Sequence, residues 1–301
     1  MKDRARELYD FLHTFAREEC IPPTSMIVAG WSLGAVFILA LLAHAPLFVT
    51  EDKDSLLTKY IRHLVVYGKP SNMRLQKVWR SLTICPDPPY HCLGYAPPPS
   101  YYNPVTHDSV NGAKLFPAWV SGYYAHGSSP SALEFHVPLE TPPPSVLGMS
   151  TDDLESALYN APAVPGGSDY TLVHAGVDHG LWATIRKAAL YPPAAAPDGA
   201  VRSSWDEVEL RYIWCEQSDW EIPWGAWAFQ AEMEEAKAYG RRMRRVSVAR
   251  LASANHFVSA PAWVEVPRAY GEAFIQLHWD QPQRALDALV SCDSQQARTH
   301  L

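Results

Sequence analysis

Apolar residues recur at Leu8, Phe11, Leu12 and Phe15, the spacing of one face of a helix, and Cys20-Ile21-Pro22-Pro23 stops that pattern. A short apolar run, Met26 to Ala29, then reads as a strand, and "AVFILALLAH" after Gly34 is apolar without a period, which predicts a buried helix. "EDKDSLLTKYIRH" predicts a short polar helix and "LVVY", Leu64 to Tyr67, a buried strand, giving a βαβ alternation. From about Tyr90 to Trp205 the pattern changes. "YAPPPSYYNP", "LETPPPSV" and "LYPPAAAPDG" punctuate short helical patterns such as "AKLFPAWVSGYYAH" and "STDDLESALYNA", and so many prolines exclude a regular sheet there. Alternation resumes with strand "VELRYIWC", helix "GAWAFQAEMEEAKAYG", strand "RRVSVARL" and helix "AWVEVPRAYGEAFIQL". The expectation is an α/β core made of residues 1–89 and 206–301, interrupted by a mainly helical, Pro-rich cap at 90–205.

Met26 to Val49 carries no formal charge and is long enough to span a bilayer. Yet it contains Gly30, Ser32, Gly34, His44 and Pro46, and its flanks lack a Lys/Arg asymmetry. A strand that turns through Gly30-Trp31-Ser32-Leu33-Gly34 into a helix accounts for those exceptions, so no stable membrane span is expected.

Composition narrows the class. The chain has 301 residues, 48% hydrophobic and 19% charged, which is the balance of a globular protein. Net charge is −7 and the one basic run, Arg241-Arg242-Met243-Arg244-Arg245, reads as a solvated helix end, so nucleic acid is not an expected partner. Five scattered cysteines without CxxC spacing propose neither a disulfide framework nor a zinc site. With a charged N-terminal stretch in place of a signal peptide, the cytoplasm is the expected location.

In a G-x-S-x-G elbow the serine sits in a strained turn between strand and helix, and the glycines leave room for neighbouring backbone. The amide of the next residue, Leu33, lies at a helix N-terminus, where developing negative charge is stabilised. The pentapeptide alone is a weak signal. "MIVA" before it and "AVFILALLAH" after it make it a stronger one.

"MIVAGWSLGA", the alternation after it and the helical insertion between later strands resemble the α/β-hydrolase superfamily, and within it the fungal members, over nearly the whole chain. The resemblance implies a mostly parallel sheet and the chain order Ser, acid, His. The acid falls in "EQSDWEIPW" after "RYIWC", where Asp219 is the candidate, with Glu216 and Asp87 as alternatives. The histidine falls in "ASANHFVSAP" after "SVARL", which is His256. Each has a plainer reading: Ser32 as a small residue in a tight turn, Asp219 as a cap, His256 as a loop residue. Together they imply acyl transfer, with Ser32 as nucleophile, His256 as base, Asp219 orienting the imidazole and the Leu33 N–H in the oxyanion hole.

The implied substrate is a small molecule with an ester, thioester or amide bond, and no cofactor is implied. Trp31, Trp220, Trp224 and Trp227 read either as the lining of an apolar acyl pocket or as core and cap contacts. "HAGVDH", His174 to His179, fits no HExxH pattern and reads as a cap loop, so no metal is expected.

Two features complicate the resemblance. Only 31 residues precede Ser32, where family members carry further strands and a second oxyanion donor, so the chain reads as N-terminally truncated. An open apolar edge at Met26 would favour self-association, and loss of one donor costs on the order of 100- to 1,000-fold in rate. Gly68 to Pro86 is basic and strand-breaking, and reads either as a retained intron with borders at Gly68-Lys69 and Pro86-Asp87 or as a surface loop. The alternative to a serine hydrolase is therefore a catalytically silent hydrolase-like binding or interaction protein.

Overall fold

The computed structural model describes residues 1–23, 26–51, 57–61, 81–84, 88–108, 110–157, 165–193 and 203–257. Within them the chain forms α1 (Lys2–Glu18), β1 (Ala29–Gly30), α2 (Ala35–Glu51), α3 (Leu57–Tyr60) and β2 (Ser81–Ile84). There follow α4 (Pro104–His107), α5 (Gly112–Val120), α6 (Thr151–Ala157), α7 (Ser168–Asp178) and α8 (Leu181–Leu190). Last come β3 (Glu209–Cys215), α9 (Glu221–Ala238) and β4 (Val246–Leu251). The strand expected at Leu64 to Tyr67 and the helix expected from Ala262 lie outside the described residues, as does most of the stretch from Gly68 to Pro86.

The four strands form one sheet in the order β1-β2-β3-β4, every neighbouring pair parallel. Gly30, Ile84, Tyr212 and Val248 stand in one row across it. The strand beside β1 is Ser81–Ile84, and ahead of β1 Met26 makes a single parallel bridge to Ile61. Strand β3 alternates: Leu210, Tyr212 and Trp214 face the main core, whereas Ile213 and Cys215 pack with Leu251 and Ala254 on the other side. Parallel sheets are stable when both faces are covered, and β3, buried from Leu210 to Cys215, meets that condition.

Helix α2 is the centre of the main core. Ala35, Val36, Ile38, Leu39, Ala40, Leu41, Leu42, Ala45 and Phe48 are all buried, so its lack of periodicity reflects neighbours on most sides, with Leu47 exposed near its end. No helix among the described residues is long and apolar enough to cross a membrane.

Helix α1 is where the sequence pattern needs correction. Its buried residues are Ala5, Tyr9, Leu12 and Ala16, while Phe11 is 61% exposed and stacks on Phe15 at 6.1 Å. Small residues at the contact let two helices approach closely, and Tyr9 inserts against Phe48 and Trp205. The helix therefore turns its small residues inward and leaves two phenylalanines paired outside.

Between Tyr90 and Trp205 the described residues supply no strand. Helix α8 of this segment nonetheless belongs to the main core, through Trp182, Ile185, Ala189 and Leu190. "HAGVDH", expected as a loop, is instead the end of α7 up to its C-cap His179.

Candidate active site

Because all four strands are parallel, the loops after β1, β3 and β4 leave the same edge of the sheet. Those loops carry Ser32, Asp219 and His256. In open parallel sheets, clefts and ligands gather outside the carboxyl ends of the strands.

Ser32 opens a 3₁₀ turn, Ser32–Gly34, that runs directly into α2, and its φ is +50°. A non-glycine residue in that region is strained, and such strain collects at functional turns. The turn is tight enough to exclude a side chain at Gly30, where a Cβ would stand 2.4 Å from the carbonyl oxygen of Gly34. Leu33 follows within the same turn, where helix N–H groups lack earlier carbonyls and are available to an anion.

His256 is 4% exposed and lies next to the serine turn. The Trp31 indole N–H donates to the His256 carbonyl at 3.3 Å, and the indole and imidazole centroids are 5.1 Å apart. The residue preceding Ser32 therefore touches the histidine across 225 positions of sequence.

Asp219 is 2% exposed, and its Oδ1 accepts the Glu221 N–H at 3.1 Å, placing its charge at the start of α9. The loops after β3 and β4 are joined directly: Glu216 N–H donates to Leu251 at 2.9 Å and Gln217 N–H to Ala254 at 2.8 Å. Of the alternative acids, Glu216 pairs with Arg250 on β4, and Asp87 lies outside the described residues. Tyr124 lies near this loop, its phenol pushed well above the usual range by burial first and by the charge of Asp219 second.

The tryptophans divide. Trp220 is 0% exposed, its N–H donates to the Tyr102 carbonyl at 2.6 Å, and its ring is enclosed by Tyr90, Tyr101 and Phe135. A ring so enclosed holds the Asp219 loop in place; it does not face an acyl chain. Trp224 is half-buried against the same aromatic cluster and donates to the Ala96 carbonyl at 2.8 Å, and Trp227 packs there too. Trp31 is half-buried beside Ser32.

The start of α9 is fixed by a second buried group. Glu221 accepts from Asn103 at 2.8 Å and stands 3.4 Å from His91. Burial would lower the His91 pKa, but Cys92 and the Glu221 carboxylate outweigh it and raise it well above the ordinary imidazole range.

Pattern reading did not find the residues that support the site: Ser121, Tyr124, His126, Ser145 and Asn255. Only Asn255, immediately before a loop histidine, had a local signal, since Asn favours side-chain turns onto its own backbone. Among the described residues no group of His, Cys, Asp and Glu is arranged to hold a metal ion.

Fold and site together define an α/β protein with a strained serine between strand and helix, a buried histidine in contact with the tryptophan before that serine, and a buried aspartate on the loop bonded to the histidine's own. No family model matches the chain, and neither a curated protein nor a solved structure matches it.

Proposed function

We propose that this chain is a serine hydrolase of the α/β-hydrolase type, cleaving a carboxylic ester or related acyl bond through an acyl-enzyme. The observation that carries the reading is the Trp31 contact to His256, which sets the strained Ser32 turn beside the one loop histidine expected for it. Asp219 adds a buried carboxylate on a loop bonded to the histidine's own.

In this reading the His256 imidazole takes the hydroxyl proton as the Ser32 oxygen attacks the acyl carbon, and Asp219 keeps the ring in its working tautomer. The Leu33 N–H stabilises the oxyanion, the alcohol leaves with the proton from His256, and water, activated by the same imidazole, releases the acid. Trp31 and Trp224 supply apolar surface for the acyl group.

The test is covalent labelling. A fluorophosphonate probe is expected to label the purified chain at Ser32, and Ser32→Ala to abolish the label while leaving the circular dichroism spectrum unchanged. Removing the nucleophile of such a triad costs on the order of 10⁶ in kcat. Absence of label, or label that persists in Ser32→Ala, overturns the reading.

A further inference from the structure

Two bonds leave the loop after β4 through one side chain, and a third closes within the loop. Asn255 is fully buried, and its Nδ2 donates to the Ser121 carbonyl at 2.6 Å and to the Ser145 hydroxyl oxygen at 2.8 Å. Its Oδ1 accepts the Phe257 N–H at 2.9 Å. Both amide hydrogens are thus in use, and the acceptor closes an Asx turn whose middle residue is His256. The backbone of the histidine is consequently set from both sides, by Asn255 before it and by the Trp31 N–H on its carbonyl.

The other ends of the two bonds that Asn255 donates lie in the segment after α5. Ser121 and Ser145 are themselves buried and joined, with Ser145 N–H donating to the Ser121 carbonyl at 3.0 Å and Val146 N–H to the Ser121 hydroxyl at 3.3 Å. The same segment reaches the aspartate loop through Tyr124 N–H, which donates to Gln217 at 2.9 Å. Residues 121–146 are therefore bonded to both loops that carry the candidate base and acid.

We propose that Asn255 is a positioning residue that couples the 121–146 segment to the aim of the His256 imidazole, an inference that rests on the serine-hydrolase reading. A ligand or a substitution that moves Ser121 or Ser145 moves Asn255, and the Asx turn passes the shift to the next residue. Misplacement of a catalytic group by about 1 Å costs on the order of 100-fold in rate.

The test compares Asn255→Asp with Ser145→Ala. Asn255→Asp keeps the acceptor for Phe257 but removes both donors, whereas Ser145→Ala removes one of the two acceptors of Asn255, together with the hydroxyl's own 3.4 Å bond to the Ser121 carbonyl, and leaves the Asx turn complete. With p-nitrophenyl butyrate as probe, Asn255→Asp is expected to lower kcat about 100-fold with KM unchanged. Ser145→Ala is expected to lower it about 5-fold, the worth of its one hydrogen bond to Asn255. Amide hydrogen exchange over 252–257 is expected to quicken about 10-fold in Asn255→Asp, with 209–215 unchanged. A kcat within error of the parent, or a loss confined to KM, overturns the inference. If the parent chain neither labels nor turns over, the hydrolase reading has failed. Exchange over 252–257 then decides the coupling alone, and an unchanged rate in both variants overturns it.

Discussion

Gly30 and Gly34 share a motif but not a reason. At Gly30 an added Cβ would lie 2.4 Å from the Gly34 carbonyl oxygen and 2.7 Å from its carbon, and backbone cannot give way cheaply. At Gly34 a Cβ would meet nothing within 4 Å. Gly30→Ala is therefore expected to destabilise by about 1–3 kcal/mol, the usual cost of overpacking, and to shift the serine turn. Gly34→Ala is expected to be neutral or to stabilise by about 0.4–1 kcal/mol through the unfolded chain. Urea unfolding of the two variants checks the contrast, and equal losses would refute it. The motif was legible because glycine spacing is local. Which glycine is sterically required was not, because the crowding comes from the Gly34 carbonyl of the turn and the Ile38 side chain of α2, which only the folded turn brings back onto Gly30.

The two loops at the sheet edge depend on the segment that follows α5, and His126 is its titratable link. The Glu134 N–H donates to His126 Nδ1 at 3.1 Å, so the ring hydrogen sits on Nε2, which donates to the Ser218 carbonyl at 2.7 Å. Protonation would put a second donor opposite the Glu134 N–H. Burial lowers the pKa of His126 below the ordinary imidazole range, outweighing the Ser218 carbonyl and the charges of Glu134 and Glu216. The sign follows: the unfolded chain takes up a proton near pH 6.5 while the folded one does not. Stability contributed by this group is complete above that pH, falls as pH drops toward the folded value, and then levels. His126→Gln is thus expected to show a smaller drop in Tm between pH 7 and 5 than the parent, measured by calorimetry. An identical drop would remove His126 from the account. The helix at 113–120 was legible from its apolar spacing, but the same pattern extended it through His126, whereas α5 ends at Val120. Ser121 to Tyr124 leave the helical path to bond with loops that lie more than ninety positions away in the chain.

Across the whole molecule, α8 and α9 are held to the core by buried cations. Arg244 donates to the carbonyls of Ala189, Trp205 and Val208, closing the end of α8 onto the start of β3, and burial brings its pKa down to about 10, so it stays charged at pH 7. Arg186 pairs with Glu232 at 2.9 Å, donates to the Leu93 carbonyl and lies 3.9 Å from the Tyr95 ring centre. Tyr191 and Tyr95 both donate to the same carboxylate. Glu232→Ala would leave Arg186 buried without its counter-charge, with an expected loss of about 3–5 kcal/mol in denaturant unfolding and a smaller loss for Glu232→Gln. The sequence alone determined what is local and periodic: an α/β alternation, a buried apolar helix after a strand, and a serine held between glycines. It also marked the loops after "RYIWC" and "SVARL" as the places to seek an acid and a base. Only the tertiary structure decided that α1 turns Ala5 and Ala16 inward, that Trp220 is enclosed and that Asn255 reaches Ser121. Those outcomes rest on contacts between distant segments, where the energy depends on the shape and unsatisfied bonds of a partner that no local pattern encodes.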